Sequence, residues 1–152
     1  MTTLRPSAPA DVPHLHSLWR RSVRATHHFL AEADFREIDR VVGSLYLPHA
    51  QLVVAVDDSD HPLGFMGLNG SHIDSLFIDP DHRGAGLGRM LVEHAARLCG
   101  VVTVDVNEQN DQAVGFYRKM GFTETGRSPT DDDGRPYPLL HMVRTQELVP
   151  SR

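Results

Sequence analysis

The chain has 152 residues, of which 40% are hydrophobic and 23% charged, with a formal net charge of −5. This length predicts a single domain, residues 1–152, that can bury one sizeable core. The composition is typical of a soluble globular protein. The negative charge and the lack of a Lys/Arg cluster argue against a nucleic-acid partner and against an anionic membrane surface.

Cysteine and histidine usage argues against a disulfide-bonded protein and against a metal-binding protein. Cys99 is the only cysteine, so no internal disulfide can form and a reducing compartment, the cytoplasm, is expected. The first residues lack the apolar segment of a signal peptide, and no apolar run is long enough to cross a bilayer. The ten histidines are scattered, without HExxH or a cysteine pair, so no metal site is predicted.

The first half of the chain predicts one strand, two helices and three further strands. A short strand at 2–7 precedes a helix that begins near Asp11. Five residues recur on this helix at helical spacing: Leu15, Leu18, Trp19, Ser22 and Val23. A second helix, with apolar positions from Phe35 to Leu45, should end before Pro48. Three apolar runs then predict strands at 51–56, 63–68 and 71–79.

The second half alternates helices with strands. A helix is predicted over 86–98, with a packed side of Leu87, Leu91, His94, Ala95 and Leu98. The remaining elements are a strand at 101–106, a helix at 111–120, and strands at 122–127 and 139–144. The central strand–helix–strand order implies one parallel strand pair joined by a right-handed crossover. The predicted class is α/β, of the α+β type, with a mixed, mostly antiparallel twisted sheet of about six to seven strands and about four helices.

Three glycines stand immediately before the third helix, in DHRGAGLGRMLVEHA at residues 81–95. Glycine is unfavourable inside a helix, but it permits unusual dihedrals and lets a ligand approach the backbone. The first N–H groups of a helix also bind anions. Neither GxxxxGK[ST] nor GxGxxG matches the spacing. The pattern therefore predicts a phosphate-bearing ligand, with a glycine-rich turn without a ligand as the alternative.

Two motifs resemble those of a known superfamily. Arg83-x-x-Gly86-x-Gly88 resembles the Arg/Gln-x-x-Gly-x-Gly/Ala signature of the GNAT acyl-CoA-dependent N-acetyltransferases. NEQNDQAVGFYRKMGF, at 107–122, is similar to that family's Asn-x-x-Ala-x-x-Phe-Tyr-x-x-x-Gly-Phe. The stretches RSVRATHHFL and DDDGRPYPLL further resemble a bacterial branch of peptidyl-lysine N-acetyltransferases. The resemblance implies one GNAT N-acetyltransferase domain with a splayed parallel strand pair, acetyl-CoA as cosubstrate and no metal.

The resemblance also implies the cofactor-binding residues. The pyrophosphate of CoA would lie against the glycine backbone, and the pantetheine arm against the strand at 71–79. The implied set is Leu76, Phe77, Ile78, Arg83, Gly84, Ala85, Gly86, Leu87, Gly88, Arg89, Asn107, Asn110, Ala113, Phe116 and Tyr117. Two simpler interpretations remain open, because Asn110 also suits a helix N-cap and Phe116 also suits a core position.

Acetyl transfer to an amine requires a base, an oxyanion donor and an acid. A lysine amine is neutral in only about one molecule in 2,500 at pH 7, so a proton must be removed. Tyr117 is the candidate acid, since a phenol donates at neutral pH, although a core tyrosine is the alternative. His72 and Asp74 share one face of their strand and are the candidate bases, with a solvated strand end as the alternative. By resemblance, the N–H of Ile78 would receive the oxyanion.

The acceptor amine is less defined. His27 and His28 lie near the end of the first helix, where this fold tends to place acceptor contacts. We expect His28 to bind the acceptor, with a surface histidine pair as the alternative. The acceptor is a protein lysine or N-terminus, or a small amine. An inactive acyl-CoA-binding sensor or regulatory module is the alternative function. A homodimer is compatible with the family, although no sequence feature defines an interface.

Overall fold

The computed structural model describes residues 1–145, which form seven strands and four α-helices. In chain order these are β1 Thr3–Pro6, α1 Val12–Thr26, α2 Glu32–Val41, β2 Leu52–Val56, β3 Pro62–Asn69, β4 His72–Ile78, α3 Leu87–Cys99, β5 Val102–Asn107, α4 Asp111–Lys119, β6 Thr123–Ser128 and β7 Leu139–Arg144. Each predicted strand and helix is present at about its predicted position. None of the helices in residues 1–145 is long and apolar enough to cross a membrane.

The strands form one sheet in the order β1-β2-β3-β4-β5-β7-β6. Strand β2 is antiparallel to β1 and β3, and β7 is antiparallel to β5 and β6. The parallel pair is β4 with β5, aligned as His72 with Thr103 and Ile73 with Val104. Helix α3 provides the crossover that a parallel pair requires. The predicted mixed, mostly antiparallel sheet with one parallel pair is confirmed.

The chain divides into two compact units. The first unit is Met1–Leu68 with Ser75–Leu91, and the second is Asn69–Asp74 with Val92 and the described residues that follow. Strand β4 and helix α3 therefore each contribute to both units. The organisation as a single domain over 1–152 stays a prediction.

The core of the first unit forms between α1, α2 and the strands β2 and β3. The five residues predicted for the packed side of α1 are all buried. Trp19 stacks on Phe35 of α2, with ring centroids 5.6 Å apart and planes 19° apart. Val54 and Phe65, both 0% exposed, belong to the same hydrophobic cluster. Helical periodicity thus identifies the side of α1 that faces this core.

Helix α2 is shorter than predicted. It ends at Val41, and a π-helical turn, Val42–Tyr46, follows. The N–H of Leu47 donates to the carbonyl of Val42, 2.9 Å away, which is the spacing of a π turn. A Cβ at Gly43 would lie 2.3 Å from the imidazole of His16, so only glycine lets that ring approach the backbone here. The apolar positions alone could not reveal this local change in hydrogen bonding.

Helix α3 presents a different C-terminal face from the one predicted. Leu91, Val92 and Ala95 are buried as a continuous stripe, but Leu98 is 66% exposed. At 3.6 residues per turn the stripe continues from Ala95 to Cys99, which is half-buried, and leaves Leu98 outside. The assignment of Leu98 to the packed side was therefore wrong.

Strand β5 alternates in the second unit. Val102, Val104 and Val106 are buried, and the intervening residues are half-buried. Because side chains alternate across a strand, Thr103 and Asp105 share the opposite, polar face. This alternation gives β5 one apolar face and one polar face.

Candidate active site

The glycine loop, residues 83–89, lies in the first unit and leads into α3. Gly84 and Gly86 adopt φ values of 82° and 80°, which favour glycine. A Cβ at either position would meet no atom within 4 Å, so conformation and not packing requires these two glycines. Helix α3 begins at Leu87, and the N–H of Met90 makes its first helical bond, to the Gly86 carbonyl at 3.0 Å. The amides of Leu87, Gly88 and Arg89 therefore suit an anion.

An ion pair holds the segment between β4 and this loop. The Arg21 guanidinium donates to both oxygens of Asp79, at 2.8 and 3.1 Å. Asp79 is 3% exposed and also accepts from the N–H of Asp81 at 2.9 Å. Burial alone would raise the pKa of Asp79, but the hydrogen bonds from Arg21 and Asp81 outweigh it and leave that pKa below its usual value. No local sequence pattern indicates this pair, because its two residues come from distant parts of the chain.

The β4 segment predicted to bind pantetheine is anchored in the first unit. The Phe77 ring packs against Phe65, with centroids 5.7 Å apart, and Ile78 packs on the cluster that includes Leu63. On β3, a Cβ at Gly64 would lie 3.0 Å from the Phe77 carbonyl oxygen. Glycine there allows β3 and β4 to lie close together, which holds the β4 backbone in place.

The end of α1 carries a small cavity with a volume of about 170 Å³. It is lined by Val23, Arg24, His27, His28, Leu30 and Phe35. Arg24 lies 3.6 Å from the centre of the Phe35 ring, and its guanidinium is paired with Glu32 at 2.7 and 3.1 Å. His28, the predicted acceptor contact, thus lines a cavity too small for most drug-sized ligands.

His27 is held neutral in this cavity. Burial, followed by the charges of Arg83 and His28, lowers its pKa to about 4. The Thr26 hydroxyl donates to the Ser22 carbonyl at 2.9 Å and lies 2.7 Å from His27 Nδ1. Since that hydroxyl has one hydrogen, His27 donates from Nδ1 to Thr26, and its Nε2 is a hydrogen-bond acceptor.

In the second unit, Asn110 caps α4. Its Oδ1 accepts the N–H of Ala113 at 3.1 Å, which confirms the N-cap interpretation. The cap leaves both N–H donors of the amide group for other partners. Asn110 can therefore cap the helix and donate to a ligand at the same time. Binding of CoA by Asn110, Asn107 and Ala113 stays a prediction.

Tyr117 is buried, with 6% of its surface exposed. Its ring makes edge contacts with Phe116 and Phe122, at centroid distances of 5.0 and 5.2 Å. Burial raises the pKa of Tyr117 above its usual value, so the phenol stays protonated at neutral pH. Phe116 is half-buried, so it is not a fully buried core residue. A protonated phenol can donate a hydrogen, and the role of Tyr117 as the acid stays a prediction.

The two candidate bases differ in their surroundings. His72 is half-buried, with Nδ1 2.8 Å from the Thr103 hydroxyl and Nε2 3.7 Å from Asp105. Asp74 is exposed. Both belong to the second unit, with Tyr117. The roles of His72 and Asp74 as bases stay predictions.

A second polar network was also absent from the sequence analysis. The Tyr46 hydroxyl lies 2.7 Å from the Ser75 hydroxyl, which accepts the N–H of Gly67 at 3.1 Å. These residues come from the π-helical turn, β4 and β3. No local pattern links three such positions, so only the tertiary structure reveals the network.

Residues 131–135 form a tight turn. Asp131 accepts the N–H groups of Asp133 and Arg135, at 3.0 and 2.7 Å, and the Arg135 guanidinium pairs with the carboxylates of Asp131 and Asp133.

Throughout residues 1–145, no group of three or more His, Cys, Asp or Glu side chains is arranged to hold a metal ion.

These features define a class of protein. A mostly antiparallel sheet has one parallel pair whose first strand runs into a glycine loop at a helix N-terminus, and a later helix carries a buried, protonated tyrosine. Together with the two sequence motifs, this is the organisation of an acyltransferase that uses an acyl-CoA.

Comparisons with known proteins agree with this class of protein. The acetyltransferase (GNAT) domain profile matches residues 21–143. The chain is 55% identical to peptidyl-lysine N-acetyltransferase YjaB of Salmonella typhimurium, over 94% of this chain and 98% of that protein. The solution structure of apo-form YjaB from Escherichia coli superposes with a TM-score of 0.91, at 50% identity, covering 97% and 99% of the two chains. The PaiA N-acetyltransferase from Thermoplasma acidophilum, solved with coenzyme A, shares the fold, with a TM-score of 0.78, 19% identity, and 95% and 99% coverage.

The chain therefore belongs to the GNAT acetyltransferase family and is an N-acetyltransferase.

Proposed function

We propose that this chain transfers the acetyl group of acetyl-CoA to the side-chain amine of a lysine in a protein or peptide. The observation that carries the proposal is the 55% identity to a peptidyl-lysine N-acetyltransferase over 94% of the chain.

The glycine loop supports acetyl-CoA as the donor. The left-handed conformations at Gly84 and Gly86 leave the loop backbone uncovered ahead of the first α3 amides. Those amides would bind the pyrophosphate, assisted by the helix dipole. The backbone of Leu76 to Ile78 would pair with the pantetheine arm, and Asn110 would donate to it.

Transfer would proceed by direct attack of the amine on the thioester. The N–H of Ile78 would stabilise the tetrahedral oxyanion, and the Tyr117 hydroxyl would protonate the leaving thiolate of CoA. The proton of the acceptor ammonium would be removed by His72 or by Asp74, the latter through water. His72 and Asp74 are two residues apart on the same face of β4, so either could serve the same amine. Variants of each residue are therefore needed to tell their roles apart.

The test is mass spectrometry of acceptors after incubation with acetyl-CoA. The acceptors are a lysine peptide with a blocked N-terminus, the same peptide with the lysine replaced by arginine, spermidine, and a free amino acid. The expected result is a single acetyl group on the lysine of the first peptide. Transfer only to spermidine or to the free amino acid would contradict the peptide acceptor.

Binding of acetyl-CoA without transfer to any acceptor or to water would instead support a binding-only module. The variants His72→Gln and Asp74→Asn then identify the base in the active enzyme. Loss of the acidic limb of the pH–rate profile in only one of them assigns the role to that residue.

A further inference from the structure

A chain of three hydrogen-bonded side chains crosses β5, β7 and β6 in the second unit. His141 Nδ1 lies 2.6 Å from Asp105 Oδ1, and His141 Nε2 lies 2.7 Å from the Ser128 hydroxyl oxygen. We propose that Ser128 is an activated nucleophile, with His141 as its base and Asp105 as the group that orients the base. The substrate class is small carboxylic esters, which this second site would hydrolyse.

The direction of the hydrogen bonds follows from the groups. An ionised carboxylate can only accept a hydrogen bond, so the Nδ1–H group of His141 donates to Asp105. In the neutral ring Nε2 then carries a lone pair, and the Ser128 hydroxyl donates to it. This is the arrangement in which a histidine removes a serine proton during attack, and it is defined by geometry rather than by fold.

The sheet register creates the arrangement. His141 is paired directly with Asp105 of β5 on one side and with Gly126 of β6 on the other. Strand β6 has a register shift between Glu124 and Gly126. Because of this shift Ser128 pairs with Leu139, two residues from His141 and on the same face of the sheet.

If β6 paired with β7 without this register shift, with Thr125 opposite His141, the alternation would reverse. Ser128 would then pair with residue 138 and would project from the face opposite to His141. A bulge that redirects a side chain often accompanies a functional position. Here it is the feature that brings the hydroxyl within reach of the imidazole.

The three side chains are accessible and supported. The side chains of His141 and Asp105 are 36% and 29% exposed, and Ser128 is half-buried. The second oxygen of Asp105 faces His72 Nε2 at 3.7 Å. One carboxylate oxygen is thus hydrogen-bonded to His141, and the other has His72 beside it.

The reaction balances with water as the only co-reactant. The Ser128 oxygen attacks the ester carbonyl, His141 takes the hydroxyl proton, and the same proton goes to the alcohol that leaves. Water then attacks the acyl-serine, with His141 again as base, which releases the carboxylic acid and restores the hydroxyl.

The test uses the full-length protein and a fluorophosphonate probe, which bonds to activated serines as fluoride leaves. Labelling is followed over time, and the labelled residue is identified by peptide mass spectrometry. The variants are Ser128→Ala, His141→Gln and Asp105→Asn. The matched control is Ser59→Ala, which removes an exposed serine from a turn. Circular dichroism and thermal unfolding check the fold of each variant.

We expect an adduct at Ser128 in the wild-type protein and in Ser59→Ala, and none at that position in Ser128→Ala. Labelling in His141→Gln should be at least about a hundredfold slower, the lower end of what a general base contributes. In the wild type the rate should rise with pH, because attack by Ser128 requires the lone pair on His141 Nε2. Hydrolysis of 4-nitrophenyl acetate should follow the same order among the variants.

Two results would overturn the proposal. One is the absence of a Ser128 adduct in folded wild-type protein. The other is an adduct that forms at a rate independent of both pH and His141, because Ser128 would then react only as an ordinary surface serine. The wild-type measurements decide the question even if a variant fails to fold.

Discussion

The Arg21 guanidinium and the Asp79 carboxylate form a two-bond ion pair, at 2.8 and 3.1 Å, between residues 58 positions apart in the chain. Asp79 stands between β4 and the glycine loop, and its own N–H donates to the Leu63 carbonyl at 2.8 Å. The segment that leads from β4 into the loop is therefore anchored to both α1 and β3. An anchored loop has less conformational entropy to lose when it binds an anion.

Arg21→Gln should weaken the binding of acetyl-CoA. The variant leaves the carboxylate of Asp79 buried without its cation, so the loop would lose its anchor. If about 1 kcal/mol of loop order is lost, KM for acetyl-CoA rises about fivefold with little change in kcat. Arg20→Gln is the control. Arg20 lies on the same helix as Arg21 and is similarly exposed, but it pairs with Asp39 of α2. Equal KM values for the two variants would show that the ion pair does not organise the loop.

His27 should make stability depend on pH. Its pKa is about 4 in the folded protein and 6.5 in the unfolded chain, so the unfolded chain binds more protons between these values. The contribution of neutral His27 to the free energy of unfolding is therefore fully present above pH 6.5 and is lost as the pH is lowered towards 4. In His27→Gln, the slope of unfolding free energy against pH should be smaller in this window. Chemical denaturation at half-unit pH steps measures it, with exposed His49→Gln as the control.

Tyr117→Phe should separate binding from catalysis. Loss of the phenol removes the proposed acid and should lower kcat by about 10²-fold, while affinity for acetyl-CoA stays near that of the wild type. Tyr137→Phe is the control, because Tyr137 is also a buried tyrosine of the second unit. Steady-state kinetics with a lysine peptide provides kcat, and calorimetry provides affinity. Unchanged turnover in Tyr117→Phe would remove this residue from the mechanism.

Gly67→Ala should destabilise the first unit. The added Cβ would lie 2.2 Å from the Tyr46 hydroxyl and 2.9 Å from that of Ser75, so their hydrogen bond must break or move. Overpacking of this kind costs about 1–3 kcal/mol. Gly115→Ala, at an exposed helical position with open space, should stabilise by about 1 kcal/mol instead. Thermal unfolding of both variants measures the difference, and a Gly67→Ala protein as stable as the wild type would contradict the packing.

Local patterns predicted much of this molecule. The periodicity on α1 identified its five buried residues, and the glycine spacing identified the loop, because both depend on residues close together in the chain. The Arg21–Asp79 pair has no local pattern, since its partners come from different elements. Leu98 is exposed because the buried stripe of α3 continues from Ala95 to Cys99, one residue further along the chain. The β6 bulge that redirects Ser128 depends on pairing with β7, which no single-strand pattern reveals.

The most direct test of the central claim, that the glycine loop binds acetyl-CoA, is calorimetric titration with acetyl-CoA. Three proteins are compared: the wild type, Gly86→Glu and Gly134→Glu. Gly134 is a matched control, because its φ of 81° and its open surroundings equal those of Gly86, so backbone strain is the same in both variants. We predict micromolar binding by the wild type and by Gly134→Glu, and no binding by Gly86→Glu, whose carboxylate would repel the pyrophosphate. Binding of equal strength by all three proteins would contradict the account.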